Sequence, residues 1–102
     1  MKIEIMHQPN MLIACLDGEL DEYSAVGVRE KLDRVIELAV VQNFIFDLSR
    51  LTFMDSTGIG ILLGRYKKLK AKGMCIYIAH PSPHIDRILK TAGIYTIINK
   101  IA

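Results

Sequence analysis

Residues 43–48 read Asn-Phe-Ile-Phe-Asp-Leu, a short run of aromatic and β-branched side chains. Such a run reads as a strand. Its neighbours decide the fold. Upstream, Asp21 to Ala39 sets Val28, Leu32, Val35, Ile36 and Ala39 at i, i+4, i+7, i+8 and i+11, the buried stripe of a helix. Arg29, Glu30, Lys31, Asp33 and Arg34 fall mainly on its outer side. Asp21 or Ser24 caps it by accepting from the first free amides, and Gly27 weakens it. Downstream, a short connector leads to a second helix from about Ser56, with Ile59, Leu62, Leu63, Tyr66 and Leu69 as its stripe. Arg65, Lys67, Lys68, Lys70 and Lys72 crowd its other faces, and Gly73 stops it. Helix, strand, helix implies a crossover connection and a mainly parallel sheet.

Further out, Lys2 to Met6 alternates polar and apolar residues, which predicts a strand with one wet face. His7-Gln8-Pro9-Asn10 is turn chemistry, and Met11 to Leu16 is a second strand, ended by Asp17-Gly18. The two are expected to form a hairpin. Met74 to Ala79 predicts a fourth strand. Ser82 or Pro83 opens a third helix striped by Ile85, Ile88, Leu89 and Ala92, and Gly93 ends it. Ile94 to Ile101 reads as a last strand. The expectation is one α/β domain over residues 1–102, with a mixed, mainly parallel sheet of about five strands. Helices are expected near 23–39, 56–72 and 82–92.

Composition narrows the function. Of 102 residues, 51% are hydrophobic and 24% charged, which argues against disorder. A net charge of +2 is too small to predict nucleic-acid or membrane binding by itself. Cys15 and Cys75 lie far apart in apolar runs and are expected to be reduced and buried. Lys2, Glu4 and His7 interrupt any leader-like apolar region, and the longest apolar runs fall short of a membrane span. A soluble cytoplasmic protein is expected.

The segment Thr52 to Gly60, T-F-M-D-S-T-G-I-G, carries the chemistry. A nucleophile elbow needs glycine two residues before its serine, and Met54 stands there. His7, His80 and His84 are scattered, with no orienting acid evident for any of them. Gly58-Ile59-Gly60 is no dinucleotide fingerprint, because Leu63 holds the third glycine position. No phosphate-binding loop with a Lys-Ser or Lys-Thr ending is present. Pro81 and Pro83 keep His80 and His84 off one helical face, so no metal site is expected. The basic helix face reads as solvated, since no aromatics interleave with its lysines. No enzyme, cofactor or metal is therefore expected. Asp55 reads as an N-cap that puts Ser56 at the first helical position, where free amides and a partial positive charge tolerate a phosphate. Gly58 lacks a side chain, so another chain's backbone or a nucleotide could come close. A plain helix start explains the same residues.

The chain resembles the anti-sigma factor antagonists of the STAS domain family, in particular the bacterial sporulation and stress-response members. The residues carrying the resemblance are G-E-L-D at Gly18 to Asp21, R-E-K-L at Arg29 to Leu32, L-T-F-M-D-S-T-G-I-G-I-L-L-G-R-Y-K at Leu51 to Lys67, and A-G-I at Ala92 to Ile94. The resemblance implies a protein that binds an anti-sigma factor which is also a serine kinase, so freeing a sigma factor. It implies inactivation by phosphorylation of Ser56, with Thr57 the minor alternative, and reactivation by a serine phosphatase. Asp21, Asp55, Ser56, Thr57 and Gly58 are expected to face the partner. A bulky residue at Gly58 is expected to weaken binding and spare the fold. Competing readings are an unphosphorylated scaffold or transport-associated module, and a nucleotide-binding protein. The family pattern includes a further helix after the last strand, which this sequence lacks. The sheet is therefore expected either to be less covered at that end or to have Ile97, Ile98 and Ile101 pack differently.

Overall fold

A computed structural model describes residues 1–102. The chain runs β1 (Lys2–Gln8), β2 (Met11–Leu20), α1 (Ala25–Leu38), β3 (Asn43–Asp47), β4 (Leu51–Met54), α2 (Ser56–Ala71), β5 (Cys75–Ala79), α3 (Pro83–Thr91), a 3₁₀ turn (Ile94–Thr96) and β6 (Asn99–Lys100). The sheet order is β1-β2-β3-β5-β6, with β4 paired to β2. Only β1 and β2 are antiparallel; the other pairs are parallel. From β2 through β3 and β5 to β6 the chain always steps the same way across the sheet. Right-handed crossovers of that kind put all three helices on one face. Leu12, Ala14, Leu16, Phe44, Phe46, Ile76 and Ile78 point into the core beneath them. The alternate residues Met6, Ile13, Ile45 and Tyr77 form one cross-strand row on the opposite face.

Several boundaries differ from the sequence reading. The hairpin turn is Pro9-Asn10 alone, because Asn10 takes a left-handed conformation (φ 57°) and lets His7 and Gln8 pair with Leu12 and Met11. β2 does not stop at Asp17-Gly18. It passes through Gly18 at φ 118°, shifts register there, and continues to Leu20 beside β4. That continuation is possible because the supposed connector is itself a strand, Leu51–Met54. Ile94 to Ile101 is a 3₁₀ turn and a two-residue strand, with Ile98 fully buried and Ile97 and Ile101 about half exposed. Cys15 is buried and burial pushes its thiol pKa up, whereas Cys75 sits exposed on the open face.

The basic face of α2 is put to structural use. Lys72 Nζ donates to the carbonyls of Ile36, Glu37 and Ala39 at 2.6, 3.2 and 3.0 Å. It thereby caps the end of α1, whose own last turn carries no cation. Lys68 Nζ lies 2.9 Å from Asp33 on α1.

A second clamp fixes α3. Asp86 accepts from the Tyr95 hydroxyl and lies 3.1 Å from Lys100 Nζ, so α3, the 3₁₀ turn and β6 are tied at one carboxylate. The Tyr95 bond, then Lys100, hold the Asp86 pKa below the ordinary carboxylate range. A lowered folded pKa gives stability that is present above the unfolded value of about 3.9 and is lost as pH falls through the folded one. Urea midpoints of the native protein and Asp86→Asn should therefore differ at pH 5 and converge as the pH falls below the ordinary carboxylate range. A gap that persists at pH 2 would assign the effect to packing.

Candidate functional site

Leu20 pairs with Met54, so Asp21 and Asp55 are the next residues off the ends of two adjacent parallel strands. Asp55 N donates to Leu20 O at 3.4 Å, tying the two strand ends together. The carboxyl ends of parallel strands are where open α/β sheets build their sites.

Asp55 leaves β4 in an extended conformation, and its carboxylate accepts from Gly58 N at 3.1 Å. It is thus the N-cap of α2 by side-chain bond as well as by sequence type. Ser56, at the first helical position, is exposed, and Thr57 is half-buried. Asp21 is held by its own turn: its Oδ1 accepts from Tyr23 N and Ser24 N, both at 3.0 Å. Ser24 Oγ accepts from Asp21 N and donates to Glu19 O. Ser24 therefore occupies the N-cap position of α1 but spends its hydroxyl on the preceding loop. Next to this loop Tyr23 and Val26 are 91% and 61% exposed, an apolar flank beside two helix starts.

Gly58 is different from its sequence reading. It is buried, and a Cβ there would stand 2.7 Å from Leu20 O and 2.6 Å from Met54 Cγ. The space that glycine frees is taken by the protein's own β2 and β4, not left for another backbone. Its part in the site is to let α2 start tight against the strand ends.

Two features lie beyond what the sequence pattern predicts. One is the groove of about 410 Å³ between the start of α2 and α3, lined by Asp55, Ser56 and Ile59 on one side and Arg87, Ile88, Thr91 and Ala92 on the other. Periodicity places Ile59 and Ile88 in separate buried stripes, and both are only half-buried in the structure; nothing in the two stripes signals that they face each other. The other is Arg65, assigned to the solvated face but only 6% exposed. Its Nε sits 2.9 Å from Asp33 Oδ1 across the α1–α2 contact. No group of three or more His, Cys, Asp or Glu side chains is arranged to hold a metal ion. No helix is long and apolar enough to cross a membrane.

Comparison with known proteins gives a consistent result. Residues 2–102 match the family described as STAS domain. The anti-sigma F factor antagonist of Paenibacillus polymyxa is 35% identical over 98 residues, covering 96% of this chain and 84% of that protein. The solved structure of the anti-sigma factor antagonist SpoIIAA in its unphosphorylated form is 27% identical with a TM-score of 0.81, covering 99% of this chain and 89% of that one. The phosphorylated form of the Bacillus SpoIIAA cell fate determinant is likewise 27% identical, with a TM-score of 0.73 over 99% and 92% of the two chains.

Proposed function

We propose, from the premise that this chain belongs to the STAS domain family, that it is an anti-sigma factor antagonist switched off by phosphorylation of Ser56. Its partner in this reading is an anti-sigma factor with serine kinase activity, whose capture frees a sigma factor. A serine phosphatase reverses the switch.

The observation that carries the proposal is the placement of Ser56. Its hydroxyl is exposed at the first position of α2, behind a formed Asp55 cap and beside the Asp21 loop. A kinase brings its own ATP, metal and catalytic base, so the acceptor needs access and a fixed backbone rather than a local base. The Ser56 oxygen attacks the γ-phosphorus, the bond to the β–γ bridging oxygen breaks, ADP leaves, and the hydroxyl proton passes to the kinase's base. The product carries roughly −1.5 to −2 charge at neutral pH. The α2 amides stabilise it by about 0.3–1 kcal/mol, partly offset by Asp55. The fold therefore tolerates the phosphate. An interface formed around a neutral hydroxyl does not, because it has to desolvate a dianion.

The test is affinity for the anti-sigma partner, measured for native protein, Ser56→Ala, Ser56→Asp and kinase-treated protein. Ser56→Ala should bind like the native protein and take up no phosphate. The phosphorylated form should bind about 2–5 kcal/mol more weakly, tens- to thousands-fold in Kd. Equal affinity of modified and unmodified protein would leave a binding module without a switch. Phosphate uptake by Ser56→Ala would move the acceptor to Thr57.

A further inference from the structure

The groove beside Ser56 has a cation on its far wall. Arg87 and Thr91 stand one helical turn apart on α3 and line the same groove as Asp55 and Ser56. Arg87 is exposed and takes part in none of the protein's ion pairs. On the same helix Asp86 is committed to the clamp with Tyr95 and Lys100, which fixes α3 against the last strand. The groove is therefore walled by two helices of set position, one bearing the acceptor hydroxyl and the other an unengaged guanidinium.

We infer that Arg87 is the intramolecular receptor for the phosphate of phosphorylated Ser56, holding it across the groove with Thr91 as an auxiliary hydroxyl donor. The inference rests on the reading of Ser56 as the acceptor. Guanidinium is suited to this task by its planar fork of donors, which matches phosphate oxygens bidentately. Before modification Arg87 faces only one charged group across the groove, Asp55, whose carboxylate is engaged by Gly58 N. Ile59, Ile88 and Ala92 complete the walls and carry no charge. A phosphate on Ser56 thus meets the α2 amides and Arg87 as favourable partners and Asp55 as the unfavourable one. In the phosphorylated state the groove is closed by its own ion pair. This would remove both Ser56 and Arg87 from the surface offered to a partner, which goes beyond simple charge repulsion at the interface.

The measurement is the second pKa of the phosphate, followed by ³¹P NMR in protein with phosphoserine inserted at position 56 during translation. Installing the group this way makes the result independent of any kinase: a kinase that ignores Ser56 defeats the functional reading alone. An opposite charge in contact favours the dianion and lowers the pKa. The second pKa should therefore lie below the free value of about 6, and Arg87→Gln should raise it by at least about half a unit. Arg87 is exposed, so its substitution should leave the melting point of the unphosphorylated protein unchanged while lowering that of the phosphorylated protein. Identical phosphate pKa values in the native and Arg87→Gln backgrounds would overturn the inference. So would equal melting points of the two phosphorylated proteins.

Discussion

Asp33→Ala is expected to cost about 3–5 kcal/mol of stability, the loss found when one member of a buried ion pair is removed. Arg65 is the reason. Its side chain is 8% exposed, and its Nη1 is buried without an acceptor. The 2.9 Å approach of Nε to Asp33 Oδ1 falls outside hydrogen-bond angles, so charge rather than a directed bond holds the pair. Without Asp33 the guanidinium would be left in the α1–α2 contact with no anion. At roughly 4–8 °C per kcal/mol for a domain near this size, the melting point should fall by at least about 12 °C. Lys68, half exposed, would lose its contact to Asp33 too, but an exposed pair is worth at most about 1 kcal/mol. The double replacement Asp33→Leu with Arg65→Met should recover most of the loss, because paired removal leaves no unmatched charge. A single Asp33→Ala change within about 1 kcal/mol of the native protein would show that water reaches Arg65.

This pair also shows how much of the fold the sequence makes legible. Helical periodicity identified α1, α2 and α3 to within two residues at each end, since each repeats apolar residues over several turns. It misassigned Arg65 because period arguments sort residues by type, and a charged type is sent to the outside. Only the partner, Asp33 on another helix, makes its burial tolerable, and that pairing is a tertiary fact. β4 escapes the sequence pattern for a related reason. Leu51–Met54 is four residues long, with burial at its two ends only, too short for a period-two signal. Its existence follows from β2 continuing past Gly18, which the sequence pattern marked as a stop. The Asp55–Ser56 end of the site is more legible. Asp55 as N-cap and Ser56 as first helical residue follow from local chemistry, which tertiary packing did not override. The opposite wall, Arg87 and Thr91, was not legible, because the approach of α3 to α2 is set by the core beneath them.

Gly58→Arg is expected to unfold the domain or nearly so, and Gly58→Ala alone to cost about 1–3 kcal/mol through overpacking. The argument turns on what stands near the missing side chain. Met54 Cγ, at 2.6 Å from a Cβ at this position, belongs to a flexible side chain and can move. Leu20 O, at 2.7 Å, is backbone and cannot move alone, because it also accepts the Asp55 amide that joins the two strand ends. Displacing it would loosen the cap of α2 and the seat of Ser56 together. Leu20 and Met54 are both buried, so the strain has no route to solvent. Arginine adds a long charged chain to a site that already rejects a methyl group. The expectation drawn from the sequence, a folded domain with a damaged interface, is therefore reversed: weaker partner binding by Gly58 variants should follow from loss of structure. Denaturant unfolding of Gly58→Ala, set beside its affinity for the proposed anti-sigma partner under conditions where it is fully folded, separates the two. A lowered midpoint with affinity kept once folded assigns Gly58 to packing. A native midpoint with affinity lost would assign it to the interface and require Leu20 and Met54 to yield more readily than their burial permits.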